Sequence, residues 1–94
     1  MVPDLNFEIR QGHITTVGMN SLNLTHSTLY PALFYVRYFK YLQKLYCDSN
    51  QLTQLPELPE GLQELSCDNN PLTPETVTYL QEFKRRHPDA NIDY

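Results

Sequence analysis

Hydrophobic and polar positions in the middle of this chain occur twice over. Leu42, Leu45, Cys47, Asn50 and Leu52 return as Leu62, Leu65, Cys67, Asn70 and Leu72, a shared L-x-x-L-x-C-D-x-N-x-L at a spacing of 20 residues. Self-similarity on this scale signals stacked supersecondary units and is tested before any single motif. Within each copy, L-x-C alternation predicts a half-buried strand of about three to five residues. Asn50 and Asn70 suit a tight turn, because the side-chain amide can bond neighbouring backbone. The return "QLPELPEG" (54–61) is proline-rich. Proline fixes φ and offers no N–H, so this stretch is expected to be an extended path and not a central strand. Stacked units of this kind place their strands in parallel, roughly 4.8 Å apart.

A third copy lies upstream. In "GHITTVGMNSLNLT", Ile14, Val17, Met19 and Leu24 stand at the offsets of Leu42, Leu45, Cys47 and Leu52. Leu22 stands where the asparagine belongs, so the asparagine series begins at Asn50 and the first corner is expected to be irregular. Ile14 and Leu42 are 28 residues apart, so the first return is longer. Its "LYPALFYVRYFKYL" predicts a short helix after Pro31, with Val36, Phe39 and Leu42 stepping inward every third residue.

Both ends of a stack need covers. "NFEI" and "HITTVGM" flank "RQG" and predict a β-hairpin, with Phe7 and Ile9 on the core of the first repeat. Its outer strand would cap the open edge of the sheet. "LTPETVTYLQEFKRRHP" predicts a helix, with Thr73 as N-cap, Pro74 in the first position and Glu75 at the positive dipole end. Val77, Leu80 and Phe83 mark its inner face, and Pro88 follows its end. "ANIDY" predicts a final short strand, with Ile92 in the ladder position of Leu62.

On these residues the chain resembles leucine-rich repeat proteins, in the short form that carries LPELPxGLxxLxCxNNxL. That form is similar to the repeats of bacterial effector proteins and of many microbial and archaeal proteins. The upstream copy resembles the NGHVTxLxLxxNxL start of such domains, and the long return resembles their LPxxIxxLxxLxxL form. The resemblance implies a small α/β leucine-rich repeat solenoid in a single domain, with a parallel sheet on the concave face. The N-terminal hairpin cap would occupy 1–12, the repeats about 13–41, 42–61 and 62–73, and the C-terminal helical cap about 74–94. It also implies a non-enzymatic protein- or peptide-binding module that uses the concave face.

Strand alternation names the side chains on that face. With Ile14, Val17 and Met19 inward, Thr16, Gly18 and Asn20 point outward. In the next repeats the outward residues are Lys44, Tyr46 and Asp48, then Glu64, Ser66 and Asp68. The candidate partner-binding residues are therefore Thr16, Lys44, Tyr46, Asp48, Glu64, Ser66 and Asp68, centred on Tyr46. The paired aspartates favour a basic or amide-rich partner. The plainer reading is a solvated face whose aspartates serve the turns. A three-strand face is also small beside the roughly 800 Å² per partner of a standard interface.

Charge narrows the partner class. The net charge is −4. Four basic and two acidic residues precede Cys47, whereas three basic and nine acidic residues follow from Cys47 onward. An acidic protein without a basic stripe is a poor nucleic-acid binder. No apolar run approaches a membrane span. The start "MVPDLNFEIR" has neither a basic n-region nor an apolar h-region, which points to a cytoplasmic protein or to a shortened chain.

Candidate chemistry changes little. His13, His26 and His87 are scattered, and three glycines build no phosphate loop. No enzyme, cofactor or metal is expected. Cys47 and Cys67 fall on an inward row beside Met19, where cysteine acts as a small hydrophobe and nothing further completes a metal site. With no leader signal visible at its start, the sequon at Asn23 is expected to be accidental. Tyr35, Tyr38 and Tyr41 recur every third residue and cannot share the inward face of Val36 and Phe39. Exposed together, they make a second patch for a weak homo-oligomer or for a structural role. The remaining alternative is the recognition part of a larger effector protein.

Overall fold

The computed structural model describes residues 4–20 and 35–94, with side chains over 7–19 and 36–94. Strand β1 (Asp4–Arg10) turns back into β2 (His13–Asn20). The turn is Gln11-Gly12, with φ of 52° and 79°. Two successive left-handed residues give the primed turn whose twist matches a hairpin, and Gly12 supplies the second at no steric cost.

Three short parallel strands follow: β3 (Lys44–Tyr46), β4 (Glu64–Ser66) and β5 (Asn91–Asp93). The five strands form one open sheet in sequence order. Val17, Leu45, Leu65 and Ile92 lie in one inward row across β2 to β5. Met19, Cys47 and Cys67 follow them along the chain and are also buried.

The returns cover this row from behind. Leu42, Leu52, Leu58 and Leu62 are buried there together with Val36. Val36 belongs to a 3-10 helix, Tyr35–Tyr38. A repeat of three residues per turn is why Val36, Phe39 and Leu42 step inward at intervals of three. Helix α1 (Pro74–Arg86) adds Leu80 and Phe83. Thr73 caps it, its hydroxyl accepting from Thr76 N at 3.3 Å, and Pro74 opens it.

The corners are held by two asparagines. Asn50 Nδ2 donates to Met19 O (2.8 Å) and Cys47 O (3.1 Å). Asn70 Nδ2 donates to Cys47 O and Cys67 O, both at 3.0 Å. One residue before each stands a left-handed position, Ser49 (φ 58°) and Asn69 (φ 57°). The two sequence copies thus share backbone geometry as well as spelling.

Three expectations change. Phe7 and Ile9 are 56% and 65% exposed, not buried on the core. Phe7 pairs with Val17 and Ile9 with Ile14, so they take the core-side positions, but among the described residues no return lies behind β1. Ile92 aligns with Leu65, not Leu62, because Asn91 N donates to Gln63 O and Cys67 N to Asp93 O, both at 2.9 Å. On α1 the buried set is Thr76, Leu80 and Phe83, with Val77 only half-buried. Thr76 tolerates burial because its hydroxyl shares a 2.9 Å bond with Thr73 and reaches Thr53 O at 3.3 Å. Leu22, Leu24, His26, Pro31 and the sequon at Asn23 lie outside the described residues, as do the side chains of Asn20 and Tyr35.

Candidate functional site

The polar side of the sheet is built by the alternation that buries its other side. A three-residue strand such as Lys44–Tyr46 turns its central leucine inward and its two ends outward. Thr16, Lys44, Glu64 and Asn91 are register partners across β2 to β5, and so are Gly18, Tyr46, Ser66 and Asp93. The sequence supplied the first three members of each row. The fourth members, Asn91 and Asp93, depended on the register of β5. On the other flank Glu8 pairs with Thr16, and Asn6 with Gly18.

The side chains on this face interact. Tyr46 Oη donates to Glu64 Oε2 at 2.9 Å, and Lys44 Nζ stands 4.0 Å from the same oxygen. Partial burial, the bond to Glu64 and the charges of Glu64 and Glu8 push the Tyr46 phenol above its usual range. It therefore stays neutral and a donor at physiological pH. Ser66 Oγ lies 3.3 Å from Asp48 Oδ1 and 3.1 Å from Asp68 Oδ1, with one proton for two carboxylates. The second oxygens of these aspartates accept from Ser49 Oγ (3.3 Å) and Asn69 Nδ2 (3.5 Å). The turn role foreseen for the aspartates is thus present beside their exposure on the face. Thr16 adjoins this cluster as the register partner of Lys44, on the hairpin side.

Lys44 and Glu64 also open a groove of about 660 Å³ that runs to Asn91 and the end of α1. Its far wall includes Glu60, Arg86 and His87. His87 Nδ1 lies 2.9 Å from Phe83 O and Nε2 lies 2.9 Å from Glu60 Oε2. Arg86 adds a 3.4 Å contact to Glu60. No sequence signal could have joined Glu60 to His87, 27 residues away, because the contact depends on how α1 lies across the proline-rich return.

Tyr38 and Tyr41 are 62% and 58% exposed and line one smaller groove of about 290 Å³ beside His13. Tyr41 lies on the His13 ring with centroids 3.9 Å apart, and the Arg37 guanidinium sits 5.6 Å from the Tyr38 ring. Cys47 and Cys67 are free thiols and fully buried. Burial pushes both up, Cys67 to about 12, with neighbouring aspartates adding to it. Among the described residues no group of histidine, cysteine or carboxylate side chains could hold a metal ion.

The fold and face define a small α/β protein: an open five-stranded sheet backed by one helix among the described residues. None of those residues forms a helix long and apolar enough to cross a membrane. Comparison with protein-family models, with curated proteins and with solved structures found no match for the chain.

Proposed function

We propose that this protein is a leucine-rich repeat module that binds a protein or peptide on the polar face of its sheet and catalyses no reaction. One observation carries the reading. The neighbouring strands β3 and β4 keep the same residue inward, Leu45 over Leu65, and change every residue outward, Lys44 to Glu64 and Tyr46 to Ser66. Packing accounts for the sameness, and recognition accounts for the difference. Tyr46, half-buried and oriented by Glu64, is the kind of side chain that anchors an interface. Asp48, Asp68 and Asp93 around it favour a partner with basic or amide groups. Five strands at about 4.8 Å spacing make the face about 19 Å across, wider than three strands would allow.

Affinity capture from native cell extract tests this. The chain carrying Tyr46→Ala and Asp68→Ala should lose the captured partner while its thermal midpoint stays nearly unchanged. Undiminished capture by that variant would overturn the assignment of this face.

A further inference from the structure

We propose that two copies of this chain join edge to edge through β1, antiparallel and with Phe7 on the two-fold axis, into one continuous ten-stranded sheet.

Among the described residues the outer side of β1 is an edge, since the sheet order begins with it. Such edges are normally blunted by prolines, lysines or bulges, because an unpaired ladder templates another strand. β1 has none of these. Its sequence, "DLNFEIR", holds no proline and no lysine. The hairpin does contain a bulge, but Glu8 pairs with Thr16 and Ile9 with Ile14. The extra residue is therefore Thr15, on the inner strand, and β1 itself carries none. Thr15 Oγ1 donates to Glu8 O at 3.3 Å, so that carbonyl is turned towards β2. By alternation the N–H and C=O of Phe7 turn to the free side.

The strand is complementary to itself. Laid antiparallel on a second copy about Phe7, it opposes Asp4 to Arg10, Leu5 to Ile9, Asn6 to Glu8 and Phe7 to Phe7. Both charged ends meet an opposite charge, and the apolar positions meet apolar ones. Opposite-charge and apolar cross-strand pairs stabilise a sheet, and like charges directly opposite destabilise it. A continuous sheet with both cores on one side permits shifts of two residues only. One such shift opposes Asp4 to Glu8, and the other opposes Glu8 to its own copy. Among such registers that pair five or more residues of β1, only the one about Phe7 avoids like-charge pairs. It also covers Phe7 and Ile9, both exposed on the described part of the edge strand. A two-fold, self-complementary contact of this kind closes at the dimer.

The inference rests on β1 and does not require the binding function proposed above. If both hold, the two Tyr46 faces lie on the same side, five strand steps or about 24 Å apart.

Sedimentation equilibrium of the full chain, from micromolar to near-millimolar concentration, tests it. The natural chain should show a monomer–dimer equilibrium. Arg10→Asp alone and Asp4→Arg alone should each weaken it at least about tenfold, since each opposes like charges twice. Mixing those two variants should restore a dimer, a heterodimer with every charge opposed to its complement. Circular dichroism melts of the single variants control for folding. A natural chain that stays monomeric at every concentration overturns the proposal. So does a dimer that both single variants leave unchanged, which would move the contact to another surface such as Tyr38 and Tyr41. Failure of the mixture to form heterodimers overturns the register.

Discussion

Asn70 and Leu52 are joined across a full turn of the chain: Leu52 N donates to Asn70 Oδ1 at 3.0 Å while Asn70 Nδ2 reaches Cys47 O. One side chain thereby satisfies a donor and an acceptor of the preceding copy. Asn50 does the equivalent service for Met19 O. Asn70→Ala is expected to lower stability by about 2–3 kcal/mol, because it leaves several backbone groups without partners in a half-buried corner. Asn70→Asp keeps the acceptor but sets a carboxylate against the carbonyls of Cys47 and Cys67, and should cost at least as much. Urea melts of the two variants check both statements.

The buried thiol of Cys67 makes stability depend on alkaline pH. Its folded pKa is about 12 against an ordinary value of 9.0. Below pH 9 it is protonated whether folded or not, and its contribution is fully present. Above pH 9 the unfolded chain ionises while the folded one resists, so stability falls as pH rises towards 12. Cys67→Ala should show a shallower loss over that window in thermal melts. Native-state alkylation should also be slow, since the thiolate is the reactive form. Rapid labelling of the folded chain by iodoacetamide at pH 8 would contradict the burial.

His87 fastens the end of α1 to the return after β3. Its ring stacks on Phe83 with centroids 4.2 Å apart, and its two nitrogens reach Phe83 O and Glu60 Oε2. His87→Ala is expected to cost about 1–2 kcal/mol from lost hydrogen bonding by the ring and a lost stacking contact. Glu60→Ala should cost less, because Glu60 is exposed and most of its pairing is at the surface. A double-mutant cycle read by urea unfolding separates the shared part.

Gln11 holds a left-handed φ of 52° that asparagine adopts more readily. Gln11→Asn creates the Asn-Gly pair favoured in two-residue hairpin turns. It should raise stability by about 0.5–1 kcal/mol, seen as a higher thermal midpoint. Gly12→Ala should do the reverse. Space is open around Gly12, but its φ of 79° strains any side chain.

Much of the sheet was legible because its information is local. The inward row of Val17, Leu45 and Leu65 and the outward pairs Lys44–Glu64 and Tyr46–Ser66 follow from alternation once the copies are aligned. The start of α1 was legible for the same reason, since Thr73 and Pro74 act within one turn. Alternation says which side a residue faces, and not how far the covering layer extends. That is why Phe7 and Ile9 were assigned to a core that, among the described residues, leaves both of them exposed. The register of β5 is set where Asn91 N donates to Gln63 O, 28 residues earlier, and no pattern within "ANIDY" encodes that distance. On the polar face, the sequence named Tyr46 and its neighbours. It did not name Asn91, Asp93 or the Glu60–His87 contact, which exist only after the chain has returned.

Sheet position also orders the strands in time. Leu45 and Leu65 each have a hydrogen-bonded strand on both sides, whereas among the described residues β1 and β5 have one on a single side. Amide protons in β2, β3 and β4 should therefore exchange with solvent most slowly, and protection should decline towards β5 at one margin. At the other margin, the β1 amides that turn away from β2, Phe7 among them, should exchange fast in dilute solution. If chains meet through that margin, their protection should climb with protein concentration. The kinetics of those few protons would then report how often one molecule finds another.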